Sequence, residues 1–545
     1  MSYTVGAIEG TTERRSTTAQ PTTDNLARWL QAIFWLVAIG LGLLHAWVYR
    51  YVMGSDGISY LDMGDAYLRG DWQMAINGYW SPLYSWLLGL ALLVLKPSPY
   101  WEFPVVHLVN FVIYLGALSG FAFLLGEVIR YGPPQHHRTG AVSTGHGTLA
   151  AWVWVVLGYT LFMWSSLELI TLRYVSPDMC VAAFVYLAAG LIVRMRRGVI
   201  GWGNFVLLGV VLGFGYLAKA VRRAAGRVAV AVVVFLLVSS PFMIALSRAK
   251  GRVTFGDSGK LNYAWYVNEI DYRHWQGEPT GSGTPKHPTR KVMEEPKVYE
   301  FGSPVGGTYP HWYDPSYWYD GLAPRFDLIR HIKNMLWRPY LYSFFVFALH
   351  GSLVIGLFTL FYMSGRGWRI VRDVAANWFL LVPALAGFAT YMQVYVETRF
   401  IGSFVTLLLL GLFSSVRLSD SPESRRLVAC VMIIIVAMFG LTVGPSNARA
   451  AYTAAREIAR GRDAAPSVYW QIAEELKRMG LQPGDKVASL NYSNNDNVYW
   501  SRLAKAQIVA EMFSDAYRKD EDDFWTADKV VRARIIETVA KAGSN

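Results

Sequence analysis

Residues 33–72 read IFWLVAIGLGLLHAWVYRYVMGSDGISYLDMGDAYLRGDW. Up to Val48 the stretch is apolar apart from His45. Together with the residues from Ala27 onward it reaches the length of roughly 20 residues needed to cross hydrocarbon. The segment after Val48 is its opposite in character. Asp56, Asp62, Asp65 and Asp71 come in quick succession, with Tyr60 and Arg69 among them. A span that delivers an acidic, helix-forming segment straight to the water boundary decides how the rest of the chain is read.

Working outward, further apolar runs predict helices near 105 to 129, 148 to 166, 179 to 193, 202 to 218, 228 to 247, 340 to 363, 377 to 396, 400 to 416 and 427 to 444, besides the first at 27 to 50. The chain is 53% hydrophobic and 15% aromatic, a membrane composition. Its net charge of +12 does not point to nucleic acid. Much of the excess sits in short loops at helix ends, at Arg130, Arg138, Arg194, Arg196, Arg197, Arg366, Arg369, Arg372, Arg417, Arg425 and Arg426, where it marks the cytoplasmic side. Cys180 and Cys430 fall inside predicted spans and form no metal or disulfide pattern.

The expected class is an α-helical polytopic membrane protein with 10 or 11 transmembrane helices and interfacial helices in the first outer loop, plus a small C-terminal α/β domain. Residues 1–26 are a polar, Thr-rich cytoplasmic tail, expected to be disordered, with no cleavable signal. Residues 27–444 form the membrane domain, with a first outer loop at 51–104 and a large one at 248–338. In the first loop, Leu83 to Leu95 is short for a span and suits a helix lying along the interface. Residues 445–545 form the extracytoplasmic domain: a helix over Tyr469 to Met479, strands at Lys486 to Leu490 and Ala506 to Met512, and a helix from Lys529 to Ala542. That domain stops without a final strand, as a truncated one does. One conflict stands out. The run 202–218 should emerge outside, yet Arg222, Arg223 and Arg227 ask for the cytoplasm; an additional crossing between Lys219 and Arg222 would repair the pattern, so either a segment absent from the chain or a distorted half-helix is expected there.

The residues with chemical promise lie at the outer ends of the spans. Asp56 is placed to take a proton from an acceptor hydroxyl attacking an anomeric carbon, or, alternatively, to cap the helix 57 to 69. Asp62, Asp65 and Arg69 share one face and read as solvated, with Asp65 and Arg69 spaced as an i,i+4 pair. Asp178, in Ser176-Pro177-Asp178, puts a second carboxylate at a helix mouth, with Arg173 as its expected structural partner. Glu397-Thr398-Arg399 offers a guanidinium for bidentate phosphate binding, or an interface anchor; Lys219 has a similar case. The aromatic runs Asn262 to Tyr266 and His311 to Pro315 suit a surface that packs over sugar rings or headgroups, or an interface-anchored structural loop. His136, His137 and His146 lie on the cytoplasmic side, away from the acids, and are not read as a metal site.

Taken in order, Asp56 with its Tyr-containing helix, Gly70-Asp71-Trp72, Ser81-Pro82-Leu83-Tyr84-Ser85-Trp86, Ser176-Pro177-Asp178, Gly215-Tyr216-Leu217-Ala218-Lys219 and Glu397-Thr398-Arg399-Phe400 resemble the GT-C superfamily of membrane glycosyltransferases, on the branch of the protein mannosyltransferases and aminoarabinose transferases. The resemblance spans roughly residues 27 to 420. It implies an inverting transfer from a polyprenyl-phosphate sugar to a glycan, lipid or protein acceptor, in a bacterial inner membrane with an extracytoplasmic active site. Carried over by position, Asp56 is the base and Asp178 the second-loop acid, and Lys219 and Arg399 face the carrier phosphate, with Arg173, Glu397 and Tyr60 beside them. No cofactor is implied, and the single acid Asp56 without a D-x-D pair favours no metal. Trp80-Ser81-Pro82 stands where aminoarabinose transferases carry Pro-Pro after Lys. The rival class is a transporter or flippase of a lipid-linked or sugar substrate, which would place its ionisable groups at the midplane on broken helices. A third class is a scaffolding membrane protein whose Asp56 cluster would be indifferent to mutation.

Overall fold

The computed structural model describes residues 20–131, 146–218, 228–271, 274–287, 289–302, 306–315, 319–460, 468–490, 496–513 and 524–542. All ten expected apolar segments are helical: Gln20–Val48, Pro99–Tyr131, Ala151–Trp164, Asp178–Arg196, Trp202–Ala218, Val228–Ala249, Leu328–Met363, Trp378–Met392, Thr398–Phe413 and Pro422–Arg460. Among the described residues, six helices are long and apolar enough to cross a membrane, and the pair Arg369–Ala376 and Trp378–Met392, bent by 78°, adds a seventh if it counts as one span. The chain is an integral membrane protein by that measure. Exposed Leu36, Leu43, Leu237, Ile433 and Leu441 face outward, as lipid-facing side chains must. The core between the helices is built from Tyr114, Phe121, Phe162, Tyr186, Leu357 and Leu410.

Small residues set how closely the helices approach. A Cβ on Gly209 would lie 2.6 Å from the Ala231 carbonyl oxygen, and one on Gly213 would lie 2.7 Å from Val238. Both residue numbers rise together, so Trp202–Ala218 and Val228–Ala249 run parallel. The C-terminal end of the first and the N-terminal end of the second therefore sit on opposite sides of the helical layer. Lys219 and the expected crossing at 219–222 themselves lie outside the described residues, as do His136 and His137.

A cap covers one end of the helices. Gly54–Arg69 and Pro82–Leu95 cross at Gly64 and Gly89, where a Cβ on Gly64 would come within 2.9 Å of the Ser85 carbonyl oxygen. Gly70 ends the first of these in the left-handed conformation, φ 70°, and returns its N–H to Ala66 and Tyr67. Pro82 opens the second at a position where its missing N–H costs nothing. Leu90, Leu93 and Val94 are exposed on that second helix, in keeping with an interfacial element.

The small sheet draws on two parts of the chain. Its order is Arg290–Met293, Lys297–Glu300, Gln507–Phe513, Lys486–Ser489, with the last pair parallel and the others antiparallel. The two strands expected from the C-terminal segment are present. The two from the large loop were not expected there, because their buried face exists only once Gln507–Phe513 is beside them. Val468–Arg478 and Lys529–Lys541 are helices, as their spacing predicts. At the far end of the molecule His146 pairs with Ser419 in a two-stranded ribbon.

Candidate active site

Asp56 lies in the first turn of Gly54–Arg69, but the N-cap position is Met53 and no side chain caps the helix. The capping role considered for Asp56 is therefore not the one it plays. Its carboxylate instead reaches sideways. Oδ1 accepts the indole N–H of Trp312 at 3.0 Å, and Oδ2 accepts both Nη groups of Arg399 at 3.2 and 3.3 Å. A carboxylate offers about four lone-pair sites. Three are used, which leaves one on Oδ1 for an incoming hydroxyl.

Arg399 gathers the rest of the acids. It opens the helix Thr398–Phe413, whose Gly402 lets the backbone seat against Ile170 and Ser165 of a π-helical turn, Ser165–Ile170. Such turns are frequent at functional sites. The single Nε–H donates to Glu397 at 2.5 Å, and Asp178 Oδ2 stands 3.6 Å from the same nitrogen. At that distance Asp178 is a charge partner and not a hydrogen-bond acceptor of Nε. Glu397 is fixed in turn by the Tyr395 hydroxyl at 2.5 Å, and the Tyr395 ring stacks on Tyr266 with centroids 4.1 Å apart. Three carboxylates thus surround one guanidinium. The Asp178 side chain is 4% exposed while Asp56 is 22%, Arg399 23% and Glu397 32% exposed, so a substrate can touch every member of the cluster but Asp178.

Aromatic rings wall the site. Trp312 lies parallel to Trp265, centroids 6.2 Å apart, and tilted against Trp80. Tyr60 is edge-on to Trp80 and Tyr84. Burial, followed by the charges of Asp56 and Asp178, pushes the Tyr60 phenol well above its ordinary range, so Tyr60 is no base at neutral pH.

The residues singled out from sequence divide clearly. Asp56, Asp178, Glu397 and Arg399 come together, with Tyr60 beneath them. Arg173 stands apart from that cluster: its guanidinium lies over the rings of Tyr49 and Tyr174, and the cation beside Asp178 is Arg399. Lys219 is outside the described residues. Asp62 and Asp65 do not form a solvated face. Asp62 is buried and accepts from the Thr308 backbone and hydroxyl and from Arg502, and Asp65 pairs with Arg502. Trp312 as the partner of Asp56, and Arg502 as the partner of Asp62 and Asp65, were missed. An aromatic loop at 311–315 was visible, but the sequence carries no sign of which carboxylate an indole 256 residues away will bind.

A cavity of about 990 Å³ opens beside the site, lined by Tyr67, Trp72, Trp86, Phe242, Arg248 and Lys250 among others. Asp56, Asp178 and Arg399 do not line it. It borders the site through Tyr313, the neighbour of Trp312. Among the described residues no group of three or more His, Cys, Asp or Glu side chains is arranged to hold a metal ion.

Among the solved structures that resemble the chain are two of one protein. One is ArnT from Cupriavidus metallidurans in the apo state, 12% identical, covering 86% of this chain and 84% of that one with a TM-score of 0.34. The other is the same protein bound to undecaprenyl phosphate, 11% identical, covering 91% and 88% with a TM-score of 0.33. No protein-family model and no curated protein matches the sequence. A likeness of that depth leaves the chemistry to the residues themselves.

Proposed function

We propose that this chain is an inverting glycosyltransferase that moves a sugar from a polyprenyl-phosphate carrier to an acceptor hydroxyl at the outer face of the membrane, with Asp56 as general base. The observation that carries the reading is the convergence of Asp56, Asp178, Glu397 and Arg399 from three separate helix starts, walled by Trp312 and Trp265. The acceptor hydroxyl donates to the vacant lone pair on Asp56 Oδ1. Its oxygen attacks the anomeric carbon as the proton passes to Asp56, the carbon–oxygen bond to phosphate breaks, and the electron pair leaves on the phosphate oxygen. Attack opposite the leaving group inverts the centre. Arg399 is the described cation placed to receive that phosphate, and doing so would draw it from Asp56 and free Oδ2. Indole faces suit the apolar faces of a sugar ring. The neighbouring cavity, with Trp72, Trp86 and Phe242 in its wall, suits the apolar chain of the carrier. The reading assigns no cofactor and no resident metal.

The test uses purified protein in detergent with a radiolabelled polyprenyl-phosphate sugar. A transferase cleaves the donor with no membrane and no gradient present. An intact donor, together with movement of label across sealed vesicles, would instead favour the transporter reading.

A further inference from the structure

The helix Asp496–Ala504, from the C-terminal segment, grips the Asp56 helix at two points. The Gly54 N–H donates to the Tyr499 hydroxyl at 2.7 Å. Gly54 is the first residue of its helix, so this is one of the donors that a helix start leaves without an intrahelical partner. One turn further along the gripping helix, Arg502 reaches Asp62 at 2.8 Å and Asp65 at 2.7 Å through Nη1, and Glu102 at 2.6 Å through Nε. Lys505 adds a second cation to Glu102 at 3.2 Å. Arg502, Asp62 and Glu102 are each about 5% exposed.

Asp56 lies between the two grips, two residues after Gly54 and less than two turns before Asp62. A buried guanidinium shared by carboxylates tolerates little slippage, because any shift of the helix leaves a charge buried and uncompensated. We propose that Tyr499 and Arg502 are positioning residues for Asp56, so that the C-terminal segment is a working part of the transfer site and not an appended domain. The proposal rests on the reading of Asp56 as the base.

Full-length Arg502→Lys keeps the charge and loses the fork, which avoids stranding three buried acids as Arg502→Ala would. Tyr499→Phe keeps the ring against Phe103 and Tyr469 and loses only the hydroxyl. Two quantities are read: kcat and KM at saturating acceptor, and amide hydrogen exchange across residues 54–69. Displacing a reacting group by about 1 Å costs on the order of a hundredfold. Arg502→Lys should therefore lower kcat by about ten- to a hundredfold with KM for the donor unchanged, and exchange across 54–69 should speed up. Tyr499→Phe should do the same to a lesser degree, with the faster exchange confined to the first turn. Wild-type kcat and wild-type exchange in both variants would overturn the proposal, and so would a fall in kcat with exchange unchanged. If the wild type transfers no sugar, the base assignment fails on its own, and exchange alone then decides whether the helix is gripped.

Discussion

At the scale of single residues, the site is a balance of one guanidinium against three carboxylates, and each member predicts a different loss. Arg399→Lys keeps a positive charge but loses the fork that reaches Asp56 through both Nη groups and Glu397 through Nε. We expect a fall in kcat together with weaker donor binding, read as separate changes in kcat and KM. Tyr60→Phe should leave the pH profile of kcat unchanged below about pH 10, the ordinary phenol value, because the folded protein raises that phenol further still. A new or displaced limb at neutral pH would return Tyr60 to the mechanism. Asp56, Asp178 and Arg399 were legible because acids and cations at helix mouths are costly without a purpose. Asp62 was not. Its burial depends on Thr308 and Arg502, and nothing local to the helix distinguishes a carboxylate that faces water from one that faces a guanidinium 440 residues away.

At the scale of elements, apolar length alone placed the ten apolar helices, of which six, or seven with the bent pair, are long and apolar enough among the described residues to cross a membrane. The strands of the large loop were hidden for the opposite reason. Arg290–Met293 and Lys297–Glu300 are short and charged, and their pairing with each other and with Gln507–Phe513 is what makes them strands. The crossing of Gly54–Arg69 over Pro82–Leu95 depends on Gly64, where an added Cβ would meet backbone and not a side chain that can move. Gly64→Ala should therefore destabilise the cap by about 1–3 kcal/mol, the usual range for overpacking, and lower kcat as Asp56 shifts. Thermal unfolding in detergent alongside the transfer assay checks this. An unchanged Tm would mean that the crossing is looser than the contact at Ser85 implies.

At the scale of the whole molecule, the large loop and the C-terminal segment build one cap, joined by the shared sheet, by Trp312 on Asp56 and by Arg502 on Asp62. Charge patterning expects that cap outside the cell and the ribbon end inside. In a Cys430→Ser background, cysteines replacing Glu294 and Lys541, both well exposed, should react with an impermeant maleimide in intact cells. One replacing Arg425, near the ribbon at the other end, should react only after permeabilisation. The reverse pattern would invert the molecule. In the proposed function, this cap and these spans assemble a sugar-transfer site around Asp56. Its most direct test is turnover of Asp56→Asn on a hydroxyl acceptor at saturating donor. Turnover should fall by about two to four orders of magnitude, the usual worth of a general base, with donor affinity retained, whereas turnover close to wild type would remove Asp56 from the mechanism.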